Sequence, residues 1–291
     1  MKNAVDAFNA GDYTKCIEFC SEEISESNSF AIEAKNLRGS LYMLKCQYKE
    51  AKDDFNSIIS DESSGERLKS NTYIKLTALY LQNAQDKEAF DAYDKAIEID
   101  PNNEDIYCNR AQVHAMKNNF AECFKDFETC LEINPEHKIA KLQKAFFEFR
   151  QFYTQLSVYM QATHASQEDM SRYLENSKEL KAETDKLEKV IFEYEDVPEA
   201  FNLYAQILSE QENFGKAEKF YEKALAKDPH NSALIVQRAL NIMTWKNDFE
   251  QSIEMLNNAI EVDDTCEFAY ETLATIEIQR FILPDWNCSI F

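Results

Sequence analysis

Apolar residues along this 291-residue chain recur in steps of three and four, the spacing of amphipathic helices, and the pattern itself repeats. KAIEIDP ends at Pro101, TCLEINP ends 34 residues later at Pro135, and KALAKDP ends at Pro229. Placing that proline at position 32 of a 34-residue unit aligns the rest. Positions 4, 7, 11, 20, 24 and 27 read Tyr73, Leu76, Tyr80, Ala89, Tyr93 and Ala96 in 70–103. They read Tyr107, Arg110, His114, Cys123, Phe127 and Cys130 in 104–137, and Phe201, Tyr204, Leu208, Ala217, Tyr221 and Ala224 in 198–231. Position 8 is small throughout: Gly39, Thr77, Ala111, Ala145, Ala205, Ala239 and Ala274. Each unit therefore predicts two helices, with small residues where they touch and large ones at the seam with the next unit.

A 34-residue helix pair closed by proline is the tetratricopeptide (TPR) pattern, and the predicted fold is all-α, a TPR helix-pair superhelix or α-solenoid. The division expected is a partial TPR over 1–31, three repeats over 32–137, an interrupted repeat over 138–197, two repeats over 198–266, a half repeat over 267–280 and an atypical tail over 281–291. A four-residue spacer precedes the unit that starts at Ser70. The interrupted repeat runs 60 residues, 26 beyond the period. Its first helix is expected over Ile139–Tyr153, followed by a loop or short helix over Gln155–Ala165. A long helix should then start at a Ser166–Asp169 capping box and carry Tyr173, Ser177, Leu180, Thr184, Leu187 and Ile191 on one face. The half repeats at both ends make the chain read as cut from a longer solenoid.

Composition agrees with helices and removes several chemistries. Four glycines and five prolines are far below ordinary usage, and Gly11, Gly39, Gly65 and Gly215 are too dispersed for a GxGxxG or GxxxxGK phosphate loop. There is no 18-residue apolar run and no signal-peptide pattern at the N-terminus. The 31 basic and 53 acidic residues leave a net charge of −22, which repels nucleic acid and attracts basic ligands. Eight cysteines contain no CxxC. Cys16, Cys123 and Cys130 fall where small packing residues belong, so buried structural thiols are expected, with no metal and no cofactor.

No catalytic arrangement emerges. His137 and His230 fall in turns, His114 fills a packing position and His164 lies in the insert, with neither HExxH nor GxSxG present. A binding surface is the alternative to an active site. In a TPR stack the concave wall is made by positions 2, 5, 9, 12 and 13 of the first helices. These positions hold Asp105, Cys108, Gln112 and Met116, then Ile139, Leu142, Phe146, Phe149 and Arg150. Further along come Glu199, Asn202, Gln206 and Glu210, then Val236, Leu240 and Met243, and finally Phe268, Glu271, Thr275 and Gln279. An apolar trough rimmed by acids and amides suits a basic amphipathic segment. The dicarboxylate clamp of other TPR proteins needs inward Lys or Arg with Asn, whereas positions 5 and 9 hold Asn36 and Ser40, Ile74 and Ala78, and Cys108 and Gln112.

The phrases FNLYAQILSEQENFGKAEKFYEKALAKDPHNSA, CEFAYETLATIEIQR, KIAKLQKAFFEFRQFYT and LRGSLYML are more specific than a generic repeat. Together they resemble, from about Tyr13 to Arg280, the C-terminal, preprotein-binding half of the large TPR receptor of the mitochondrial outer-membrane translocase, its seventy-kilodalton subunit. The resemblance implies a non-catalytic receptor on the cytosolic face of the outer membrane. Its partners would be mitochondrial preproteins, carriers with internal signals among them, and translocase subunits. Cytosolic chaperones would engage only through clamp repeats outside this chain. Glu199 matches a pocket acid of that family, and Glu271 falls on the same wall. The groove expected from both readings comprises Asp105, Gln112, Phe146, Phe149, Arg150, Glu199, Asn202, Gln206, Leu240, Glu271 and Gln279. A soluble TPR scaffold or co-chaperone is the competing expectation.

Overall fold

The computed structural model describes residues 1–26, 29–162 and 177–282. Fifteen α-helices and no strands occupy them. They run α1 Lys2–Asn9, α2 Tyr13–Ser25, α3 Ala31–Leu44, α4 Tyr48–Ser60, α5 Glu66–Gln82, α6 Asp86–Ile99, α7 Glu104–Met116 and α8 Phe120–Ile133. These eight make one compact unit, Met1–His137. The second unit, from Lys138 onward, holds α9 Lys138–Ala162, α10 Lys178–Glu193, α11 Pro198–Glu210, α12 Phe214–Lys227, α13 Ser232–Lys246, α14 Phe249–Val262 and α15 Glu267–Ile282. The fold is the TPR α-solenoid type, antiparallel helix pairs joined by short turns.

The turn inside a pair has one solution in the six pairs whose turns are described. Gly11, Cys46, Ala84, Asn118 and Glu212 stand at position 15 and all adopt positive φ, between 54° and 74°; Asn247 does the same at 53° in the unit with one extra residue. The following N–H then reaches back five residues, Gln47 to the Tyr42 carbonyl, Gln85 to Tyr80, Asn119 to His114 and Asn213 to Leu208, each at 2.8 Å. This left-handed stop satisfies carbonyls that the helix end leaves open. Only Gly11 among these residues takes it without a Cβ penalty.

Small residues sit where the helices of a pair cross. Thr77, Ala111, Ala205 and Ala239 at position 8 are fully buried, as are Ala51, Ala89, Cys123 and Ala217 at position 20. A Cβ on Gly39 would lie 2.7 Å from the Phe55 ring, itself fully buried, so α3 and α4 approach as closely as glycine permits. Ala274 also occupies position 8, yet it is exposed, because no second helix of its pair lies among the described residues.

Several boundaries differ from the sequence expectation. The residues read as a spacer before Ser70 fold into α5 as its first turn, after Gly65. Helix α9 does not stop at Tyr153; it runs 25 residues, from Lys138 to Ala162, and neither Gly nor Pro interrupts it. Residues 155–162 are therefore helical, as a continuation of α9 and not as a loop or separate short helix, and 163–165 lie outside the described residues, with the Ser166–Asp169 capping box and Tyr173. The helix carrying Leu180, Leu187 and Ile191 starts at Lys178, and Ser177 is its N-cap, accepting from the Leu180 N–H at 3.1 Å. Ser177 thus caps the helix instead of lining its face. Leu180, Leu187 and Ile191 pack into a core with Phe146, Phe149, Phe201, Tyr204 and Phe220.

Candidate functional site

Helix α11 starts with Pro198 in its first turn, where a missing N–H costs nothing, after Val197 in extended conformation. Glu199, Asn202 and Gln206 follow at steps of three and four and so share one face. They form a hydrogen-bonded ladder. Asn202 Nδ2 donates to Glu199 Oε2 at 3.3 Å, and Gln206 Nε2 donates both to Asn202 Oδ1 at 3.2 Å and to Gln237 Oε1 at 3.1 Å on α13. One turn further, Ser209 Oγ donates to Asn241 Oδ1 at 2.7 Å, and the buried Asn241 amide donates to the Phe214 carbonyl at 3.3 Å. Arg150 on α9 reaches Glu210 Oε1 at 3.3 Å and lies over the Phe146 ring.

Burial pushes the Glu199 carboxyl above the usual carboxylate range, and the Asn202 amide only partly opposes it. Burial also raises Glu210, against the pull of Arg150. Leaving water disfavours a bare carboxylate, so a cation docked here would restore solvation that the fold withholds. The first helices α9, α11 and α13 therefore present a polar strip with two unneutralised or half-neutralised acids, fit to take an amide-rich or basic segment.

The chain matches the family described as TPR repeat over residues 78–118, and tetratricopeptide repeat over 104–137 and 198–231. The mitochondrial import receptor subunit TOM70 of Homo sapiens is 34% identical over 269 residues, 92% of this chain and 41% of that protein. Over this stretch the chain is a TPR protein similar to TOM70. It spans less than half the length of this relative. The crystal structure of yeast Tom70 superposes with a TM-score of 0.59 at 21% identity, over 94% of this chain and 53% of that one. A TPR protein from Parabacteroides merdae superposes with a TM-score of 0.60 at 15% identity, over 95% and 96%. At those identities the structures speak for the fold alone.

The groove positions read from sequence meet different fates in the structure. Glu199, Asn202, Gln206 and Arg150 come together as described. Phe146 and Phe149 do not offer free surface: each is 3% exposed and packed in the core of the second unit. Helical position puts them on the first-helix wall, but they are buried in a cluster that also takes in residues of α10, α11 and α12. Leu240, three residues beyond Gln237, is partly buried against Val236 and Ile235. Glu271 is exposed on α15, separate from the ladder's hydrogen bonds. Gln279 falls in α15, and its side chain lies outside the described residues. Asp105 and Gln112 stand on α7 in the first unit, where Asp105 pairs with His137 and Arg67.

Sequence reading missed Gln237 and Asn241, because their positions fall between those assigned to the wall; their partners on α11, the Gln206 amide and the Ser209 hydroxyl, identify them. It also missed Lys75, whose Nζ donates to Asn36 Oδ1 at 2.7 Å and Ser40 Oγ at 2.8 Å, so these two clamp positions are already engaged by an internal cation. An open cleft of about 1100 Å³ lies elsewhere, against Leu225, Arg238, Ile253 and Glu254 on α12, α13 and α14. It lacks a half-buried carboxylate such as Glu199, so the ladder is the better site. Burial raises the thiols of Cys20 and Cys123 to about 12, which keeps them protonated and inert.

Proposed function

We propose that this chain binds mitochondrial preproteins along the α9–α11–α13 wall of its second unit, as part of an import receptor on the cytosolic face of the outer membrane. The observation that carries the reading is identity to a mitochondrial import receptor subunit over 92% of the chain. The ladder supports it physically, because buried acids and amides suit basic, amphipathic segments and main-chain hydrogen bonds. The role is non-catalytic, and translocase subunits are the partners that go with it. The working site is Glu199, Asn202, Gln206, Gln237, Arg150 and Glu210, with Leu240 as apolar floor and Glu271 and Gln279 further along the wall. The repeats at 138–197, 198–231 and 232–266 form the functional block in this reading.

Fluorescence titration of the reduced chain with a carrier-derived peptide and with a basic presequence peptide tests it. Each should bind saturably, and Glu199→Arg combined with Gln206→Ala should weaken the presequence at least tenfold. Unchanged binding in that variant overturns the site; no binding of either peptide overturns the function.

A further inference from the structure

The first unit gathers three metal-ligating side chains that are remote in sequence. Cys108 stands on α7, Cys130 on α8, and His137 in the turn after α8. One ligand atom from each, two sulfurs and a ring nitrogen, lie within 4.8 Å of one another. Both cysteines are buried, and their thiols are in hydrogen-bonding contact. Asp105 Oδ1 stands 3.3 Å from His137 Nε2, the carboxylate–imidazole pairing that orients metal-bound histidines.

The frame holding these ligands is stiff. The Asn134 carbonyl accepts from the His137 N–H at 3.1 Å, its side-chain oxygen accepts from the Glu136 N–H at 3.1 Å, and its amide donates to Glu104 Oε1 at 3.3 Å. The turn is thereby tied to the start of α7. We propose that Cys108, Cys130 and His137 form a zinc site, with a water as the fourth ligand and Asp105 orienting the His137 ring from outside it.

Two thiolates and an imidazole are a soft N/S set that selects zinc in tetrahedral geometry over magnesium or calcium. Zn–S of about 2.3 Å and Zn–N of about 2.0 Å call for ligand separations of roughly 3.3–3.8 Å. Small side-chain rotations bring a 4.8 Å cluster to that size. On binding, each thiol gives its proton to solvent, so one Zn²⁺ displaces two H⁺ and the imidazole stays neutral. Glu104 and Asp105 face the site and favour a cation, and Arg67 is the basic group that faces them, 2.8 Å from Glu104 and 3.6 Å from Asp105. Bound zinc would fasten α7, α8 and the turn leading out of the repeat. Cys123 is buried on α8 without such company and serves as an internal control.

The test uses the full chain, reduced and stripped with a chelator, titrated anaerobically with Co²⁺ and then Zn²⁺. One Co²⁺ per chain should give thiolate-to-cobalt charge-transfer absorption and tetrahedral visible bands, both bleached by Zn²⁺. Two protons should appear per zinc in weakly buffered solution. Cys108→Ser, Cys130→Ser and His137→Ala should each weaken binding about 100-fold or more, and Asp105→Asn about 10-fold, within the range for an orienting partner. Cys123→Ser and Cys46→Ser should bind as the parent does. Because the cysteines are buried, the turn variant His137→Ala carries a second readout: zinc should raise the melting temperature of the parent and not of this variant. Absence of the thiolate band, or its persistence in the Cys108→Ser/Cys130→Ser double variant, overturns the site.

Discussion

In three repeats a large side chain at position 7 reaches position 23 of the partner helix, and the chain does this in two chemistries. Arg38 and Arg110 each make a bidentate ion pair, to Asp54 at 2.7 and 2.9 Å and to Asp126 at 2.8 Å twice. Tyr204 instead meets Phe220 edge-on, with centroids 4.7 Å apart. Asp54 and Asp126 are 8% and 4% exposed, so removing either leaves a half-buried guanidinium without its counter-charge. Asp126→Ala should cost about 3–5 kcal/mol, as breaking buried pairs does, measured by urea unfolding. Gly39→Ala drives a methyl into the Phe55 ring and should lose roughly 1–3 kcal/mol to overpacking, more than the helix gains from alanine. Ala84 sits at φ 54°, so the opposite change applies: Ala84→Gly should stabilise by about 0.5–1 kcal/mol, the left-handed penalty less the added chain entropy.

Among elements, α11 is the one on which packing and recognition coincide. Its inward face contributes Phe201, Tyr204 and Leu208 to the core, while Glu199, Asn202 and Gln206 form the ladder. The raised carboxyl of Glu199 has a definite consequence for pH. Between the ordinary carboxylate range and its raised value the free protein keeps a proton that a docked cation would expel. Affinity for a basic peptide should therefore climb as pH rises through that window and level off above it. Glu199→Gln should flatten the profile, and titrations at several pH values check this. Helical periodicity was enough to put Glu199, Asn202 and Gln206 on a shared face. It could not identify Gln237, which belongs to the site through a hydrogen bond from another helix. Nor could it foresee that Phe146 and Phe149 are covered, since they are buried in a cluster assembled from several helices.

At the scale of the molecule, each unit is a chain of nearest-neighbour contacts, with separate apolar clusters rather than one core. Ala51, Phe55 and Ile58 cluster with Leu76 and Leu79; Phe201, Tyr204 and Phe220 belong to another cluster in the other unit. Stability in such stacks is local, so damage stays near its source. In hydrogen exchange, Gly39→Ala should lower protection in α3, α4 and their neighbours α2 and α5, while α11 and α12 stay as in the parent. The repeat register was legible in one dimension because its causes are local: small residues recurring where helices cross, and proline after three of the second helices. The ladder across α11 and α13, the cover over Phe146 and Phe149, and the meeting of Cys108, Cys130 and His137 needed three dimensions. Each depends on which helix lies beside which, a relation set by packing between elements that no spacing along the chain encodes.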